Sequence, residues 1–290
     1  MLLSTETYMP VPGYCDEESI RLIAEAGFDA LDYSMFYMRD DSRVPGHSDA
    51  EAYARQMKEK IAAAGLVCNQ AHAAFHFAGE DGSDPLERVE KGIKIAGILG
   101  AKTVCVHPVY YGSDPVETKE RNMERYRRLG EIARAYGTRV GIENMFGWDK
   151  RRDIAVPNVC SFAEDLCDYY DTLNDPAVFT VLLDVGHVGL VGQEAQDAIR
   201  ILGHNRLGAL HVHDNNYRKD LHTMPYDFRC GMDWDEITRA LGEIDYQGDF
   251  TYEADGFQNR FNLENVHIAM KFMERMGRDL MARINENRPK

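Results

Sequence analysis

The sequence predicts a (β/α)8 barrel, and three observations predict it. Amphipathic segments end at glycines with near-constant spacing: Gly27, Gly65, Gly100 and Gly137, at intervals of 38, 35 and 37 residues. A glycine in the left-handed conformation just past a helix end suits each position. Each glycine leads straight into an apolar run: Phe28-Asp29-Ala30-Leu31, Leu66-Val67-Cys68, Ala101-Lys102-Thr103-Val104-Cys105 and Thr138-Arg139-Val140. A unit of about three dozen residues is one strand–helix module. Eight such units fill the 290 residues of the chain, and alternating strands and helices imply a parallel sheet with right-handed crossovers. A doubly wound open sheet is the alternative, but it advertises a glycine-rich turn after its first strand. Tyr8-Met9-Pro10-Val11-Pro12-Gly13 carries no such pattern.

Taken in order, the first strand falls at Leu2–Glu6, short and polar for a buried strand. The helix after it contains Ile20-Arg21-Leu22-Ile23-Ala24-Glu25-Ala26, and the next four strands follow the four glycines. The same period places later strands at Phe179–Leu183, Leu207–His211 and Gly248–Glu253. Helices are expected at Ala163–Leu173, Gln193–Leu202, Trp234–Ile244 and, as a long last element, Leu263–Ile284. In that last helix Met270, Phe272, Met273 and Met276 would cover the barrel wall, and their apolar excess leaves homo-oligomerisation open. No Ser/Pro-rich linker interrupts the run, so residues 1–290 are read as one barrel domain with its site at the C-terminal strand ends.

Composition narrows the function. Hydrophobic residues make up 44% and charged residues 28%, as in an ordinary globular enzyme. The 48 acidic residues outnumber the 33 basic ones for a net charge of −15, which opposes a nucleic-acid partner. No run reaches the length of a membrane span, and Met1–Thr7 lacks the basic and apolar regions of a secretion signal. A cytoplasmic protein is expected. The six cysteines include no C-x-x-C pair and are read as small buried hydrophobes in a reducing compartment.

The candidate site comes from strand ends. Val140-Gly141-Ile142-Glu143, Val181-Leu182-Leu183-Asp184, Leu207-Gly208-Ala209-Leu210-His211 and Phe250-Thr251-Tyr252-Glu253 each finish an apolar run with a potential metal ligand. In a barrel such residues face the loops at the C-terminal mouth. Three carboxylates and an imidazole suit a divalent cation that accepts oxygen and nitrogen. Glu143 and Glu253 would face each other, one removing a proton from carbon and the other returning it. In Asp184-Val185-Gly186-His187 the histidine can hold a substrate oxygen or a second metal. His72 and His107 end earlier strand-like segments and are candidate substrate ligands, as are Asp220 and His222 in the stretch after His211. Arg218 is the candidate anion holder, and His213 can turn inward or outward. Tyr110, Tyr111, Phe75 and Phe146 are candidates to wall off the cavity.

Together these residues resemble the xylose isomerase-like barrel superfamily, which groups sugar phosphate isomerases and epimerases, ketose 3-epimerases and endonuclease IV-type DNA repair enzymes. The resemblance spans the chain and rests on Val104-Cys105-Val106-His107-Pro108, Gly141-Ile142-Glu143-Asn144, Leu183-Asp184-Val185-Gly186-His187, the His211–His222 segment and Tyr252-Glu253. It implies a divalent metal on Glu143, Asp184, His211 and Glu253, with Mn²⁺ first and Zn²⁺, Co²⁺ or Mg²⁺ as alternatives. It implies proton transfer by Glu143 and Glu253 through a cis-enediolate, with His187 and a basic residue near Arg218 on a carbohydrate substrate. The endonuclease-type branch binds three zinc ions, and its longer ligand set has counterparts in His72, His107, Glu143, Asp184, His187, His211, Asp220, His222 and Glu253. One departure from the family pattern is the loop Thr223–Trp234, longer and more aromatic than the usual Pro-Gly-Glu-Gly-type turn. Because such loops set specificity, the sugar is left open.

A sugar isomerase or epimerase is therefore the leading expectation. An inosose or keto-sugar dehydratase or lyase on the same metal is the alternative. A phosphodiesterase of the DNA repair type and a non-catalytic sugar-binding barrel come behind it.

Overall fold

The structure, a computed structural model, describes residues 1–9, 15–36, 49–75 and 85–290. The Pro10–Gly13 part of the turn read for a glycine motif lies outside them. Five strands come first: β1 (Leu3–Glu6), β2 (Ala30–Ser34), β3 (Val67–His72), β4 (Thr103–Val106) and β5 (Arg139–Glu143). An antiparallel hairpin of β6 (Phe146–Asp149) and β7 (Ile154–Pro157) follows. Three further strands, β8 (Phe179–Asp184), β9 (Leu207–His211) and β10 (Phe250–Tyr252), complete a parallel sheet in the order β10-β1-β2-β3-β4-β5-β8-β9. The last gap closes where Val212 N donates to Thr251 O at 2.8 Å and Glu253 N donates to Val212 O at 3.1 Å. The result is the expected eight-stranded barrel.

The helices between strands are α1 (Asp16–Ala26), α2 (Ala50–Ala63), α3 (Pro85–Leu99), α4 (Pro115–Tyr136), α5 (Ala163–Leu173), α6 (Val185–Leu190), α7 (Ala195–Arg206), α8 (Trp234–Glu243), α9 (Asp255–Gln258) and α10 (Val266–Glu286). Gly27 and Gly137 end α1 and α4 at φ of 100° and 72°, the left-handed geometry a helix stop requires. Three elements were not anticipated: the β6–β7 hairpin and the short helices α6 and α9. All three sit above the C-terminal ends of barrel strands, where local chain geometry serves the mouth rather than the repeat.

Two apolar layers hold the fold. The larger lies between strands and helices and includes Ile23, Leu31, Phe250 and Tyr252, all fully buried. On α10, Met270 and Met273 belong to it, whereas Phe272 turns outward, half exposed. Gly277 lets α10 sit directly on β1, because a Cβ there would lie 2.5 Å from Leu3 Cδ1. The smaller layer is a plug of Cys105, Leu182 and Ala209 inside the barrel. Gly141 is part of the same tight lumen, since a Cβ would meet Thr103 Cγ2 at 2.8 Å. This plug is the floor on which the polar strand ends rest. Among the described residues no helix is long and apolar enough to cross a membrane.

Candidate metal centre

The four strand-end residues converge. Glu143, Asp184, His211 and Glu253 each offer a donor atom, and these atoms lie within 4.8 Å of one another. His211 Nδ1 is 2.5 Å from Glu143 Oε1 and 3.2 Å from Glu253 Oε2. All four side chains are buried. Three carboxylates in so small a buried volume repel one another unless positive charge offsets them. Among the described residues the ion-pair partners of these carboxylates are histidines. Oxygen and imidazole donors at this spacing fit a divalent cation.

The second oxygen of Glu143 looks toward β3 and β4. It lies 2.7 Å from His107 Nε2 and accepts from Cys105 Sγ at 3.1 Å, while His72 Nε2 is 3.8 Å away. His72, Cys105, Glu143 and His211 thus form an adjoining group of donors. Beyond Asp184 lies a third, of His187, His213, Asp220 and His222. Asp184 also caps α6: its carboxylate accepts from His187 N at 2.8 Å, so the helix turns the His187 ring back over the barrel. The ring Nδ1 is fixed against Asn144 O at 2.9 Å. His213 turns inward, with Nε2 2.9 Å from Asp184 Oδ1. His222 Nε2 reaches Asp220 Oδ2 at 3.0 Å, and His187 Nε2 stands 3.6 Å from the same oxygen.

Burial and partners set opposite proton preferences across these groups. Burial raises the Glu143 carboxyl, but His211 and His107 outweigh it and hold it well below the usual range. Glu253 goes the other way, raised by burial and by the charge of Glu143 against the pull of His211 and His222. Burial disfavours charge on His187, yet Asp184 and Asp220 push it up to about 10. Asp184, which burial alone would raise, is held at about 2 by His187 and His213. On His107 burial prevails and lowers the ring, despite the Glu143 carboxylate beside it. Two glutamates of opposite bias at one point are what acid–base chemistry on carbon requires.

The mouth opens into a cavity of about 280 Å³ lined by Tyr8, Phe36, Phe75, His222, Glu253 and Asp255, among others. Phe36 stacks on Phe75 and meets the edge of His72. Phe146 packs edge-on against His187. Phe75 therefore lines the cavity as the sequence suggested, whereas Phe146 is placed by its contact with His187 and is not among the cavity's lining residues. Tyr110 does not line it either: it is exposed and lines a separate groove, because the turn after β4 carries it away from the barrel axis. Tyr111 stacks under Arg121 on that same outer side. Arg218 is exposed on the loop after β9, held there through its backbone, whose N–H donates to Asn216 Oδ1.

Sequence reasoning missed several residues at the site. Asp32 on β2 lies 3.2 Å from His211 Nε2, Cys105 touches Glu143, and Asp255 lies 3.1 Å from His222 Nδ1. Glu6, at the end of β1, is buried with no partner for its Oε2 among the described residues, and burial pushes its carboxyl well up. Glu6 and Asp32 each had a signal, a carboxylate inside or ending a short strand.

A family model described as xylose isomerase-like TIM barrel matches residues 20–281. The chain belongs to the xylose isomerase-like TIM barrel family. It is 25% identical over 236 residues to D-psicose 3-epimerase of Enterocloster bolteae, covering 78% of this chain and 72% of that protein. An uncharacterized Methanocaldococcus jannaschii protein is 26% identical over 195 residues, and the match spans 65% of this chain and 62% of that protein. Among solved structures, a D-tagatose 3-epimerase-like protein shares the fold with a TM-score of 0.73 at 19% identity, covering 99% of both chains. The 3-keto-D-glucoside 4-epimerase of E. coli does so at 0.68 and 17% identity, covering 96% of this chain and 99% of its own.

Proposed function

We propose that this protein is a divalent-metal-dependent sugar epimerase or isomerase, with Glu143 and Glu253 as its acid–base pair. The observation that carries this reading is the shared approach of both glutamates to His211 Nδ1, at 2.5 Å and 3.2 Å, from strands three apart around the barrel. The similarity to a D-psicose 3-epimerase supports it. Glu143, Asp184, His211 and Glu253 would hold the ion, with Mn²⁺ as the leading candidate. When bound, a divalent cation supplies Lewis-acid stabilisation of developing negative charge on a carbonyl and hydroxyl.

The chain's own residues do the rest. Glu143 takes the proton from the carbon beside the carbonyl. Glu253, which approaches the same His211 nitrogen from another strand, delivers a proton from the other side. Passage through a cis-enediolate inverts that carbon. His187, fixed on Asn144 O, presents Nε2 to a substrate oxygen, and His72 and His107 flank the opposite side. Phe36 and Phe75 give the apolar face of a sugar ring a wall and displace water.

Incubation with a panel of ketoses in D₂O tests this. The product should keep the substrate's mass apart from one deuterium on the inverted carbon, and no solvent deuterium in any product would overturn the reading. Loss of a water mass would move the assignment to the dehydratase or lyase alternative.

A second reading, phosphodiester hydrolysis on a multinuclear centre, is favoured by one observation. His187, His213, Asp220 and His222 form a further donor group beside the first. The net charge of −15 weighs against a DNA substrate. Metal content separates the two: one ion per chain supports the epimerase, whereas three zinc ions with nicking of abasic-site duplex support the nuclease.

A further inference from the structure

We propose that Asp32 is a positioning residue for the metal centre, one that accepts the Nε2 proton of His211 and so aims Nδ1 at the ion. The proposal rests on the metal-binding part of the reading above and assigns a role to a strand with no ligand in the four-residue group.

Asp32 lies on β2, on the far side of the His211 ring from Glu143 and Glu253. Its Oδ2 is 3.2 Å from His211 Nε2, while Nδ1 of the same ring faces the two glutamates. The carboxylate is 1% exposed and lies deep inside the barrel. A carboxylate buried this deeply needs polar partners. Among the described residues its side-chain partners are His211 and Gln70, with Gln70 Nε2 donating to the same Oδ2 at 2.8 Å.

The strand geometry is built for this contact. The β2–β3 register shifts between Leu31 and Asp32, which sets Asp32 opposite Gln70. Such a shift re-aims a side chain. Gln70 is itself anchored to Leu210 O, the backbone next to His211, at 3.3 Å. Asp32, Gln70 and the β9 end therefore form a closed loop of contacts around one imidazole. Among the described residues Asp32 Oδ1 has no hydrogen-bond partner.

A neutral imidazole carries one N–H. With that proton committed to Asp32, the lone pair sits on Nδ1, between the glutamate oxygens where an ion would be held. A carboxylate on the distal nitrogen also raises the ligand's basicity, an effect worth roughly 10–100-fold in metal affinity.

The test is Mn²⁺ titration calorimetry on wild type, D32N and D32A, with far-UV circular dichroism to establish folding. Nitrogen-15 NMR of His211 in the Zn²⁺-loaded wild type accompanies it. We expect Mn²⁺ binding weakened about 10–100-fold in both variants, and a wild-type ring with metal on Nδ1 and a proton on Nε2. Folded variants that bind Mn²⁺ within about twofold of wild type would overturn the proposal while leaving the metal reading intact. A wild-type ring metallated on Nε2 would overturn it without any variant. Wild type that takes up no Mn²⁺ or Zn²⁺ would bring down the metal reading itself and the role of Asp32 with it.

Discussion

Gly186 lies directly beneath the ring of His213, and a Cβ built on the glycine would stand 2.0 Å from His213 Cε1. The contact locks the two donor groups together, because the same ring reaches Asp184 Oδ1 at 2.9 Å. Substituting Gly186→Ala should therefore displace His213 and weaken the hold on Asp184. Overpacking of this kind costs about 1–3 kcal/mol. Thermal unfolding of the variant should fall accordingly, and Mn²⁺ affinity should fall with it. Wild-type affinity in a folded G186A protein would break the link between helix α6 and the metal centre.

Glu143→Gln and Glu253→Gln probe the acid–base pair. Each keeps the side-chain volume but removes the exchangeable carboxyl proton, and such groups contribute about 10²–10⁴-fold to rate. Both variants should lose at least about a hundredfold in turnover. Glu253→Gln can still donate no proton to carbon, so deuterium exchange at the reacting carbon should outlast epimerisation in that variant. Equal loss of exchange and epimerisation in both would argue against a division of labour between the two glutamates.

Removing the metal should destabilise the fold. Glu143, Asp184 and Glu253 crowd one buried volume, and a bound cation offsets their repulsion. A ligand at a hundred times its dissociation constant adds about 2.7 kcal/mol to the native state. Chelation followed by dialysis should lower Tm, and Mn²⁺ should restore it. The same chelation should leave E143Q less affected, since one of the repelling charges is already gone.

The convergence of the four strand-end residues was legible because a parallel barrel strand is an apolar run whose C-terminal end faces the mouth. Glu143, Asp184, His211 and Glu253 each end such a run, and their convergence follows from closure of the barrel. His213 follows the inward parity of His211, but parity loses force where a strand ends, so the sequence leaves its direction open and the contact with Asp184 sets it inward. Asp32 had the signal of a carboxylate inside a strand, but its pairing with His211 was not legible because the two lie 179 residues apart and β2 contains a register shift. The hairpin of β6 and β7 was hidden by its shortness, with four residues in each arm. Tyr110 was misplaced because an aromatic residue after a strand end reveals nothing about the direction of the loop that carries it.

Away from the site, Asp29 predicts how stability responds to acid. Its carboxylate takes Arg278 Nη1 at 2.6 Å and Nη2 at 2.9 Å, and Oδ2 also accepts from Leu3 N at 2.8 Å. These contacts tie α10 to β1 and to the turn before β2. Partial burial raises the carboxyl, but Arg278 and the Leu3 N–H outweigh it, so the folded value lies below the ordinary one. Stability from such a group is fully present above the unfolded pKa of about 3.9 and is lost as pH falls through the folded value. A third of the side chain remains exposed, so solvent screening holds the pair to about 1 kcal/mol or less. Asp29→Asn should therefore cost about 1 kcal/mol or less at pH 7 in urea unfolding. The gap from wild type should narrow steadily below pH 4. A gap that stays constant from pH 7 to pH 3 would show that packing at this position, and not its charge, fastens the last helix to the barrel.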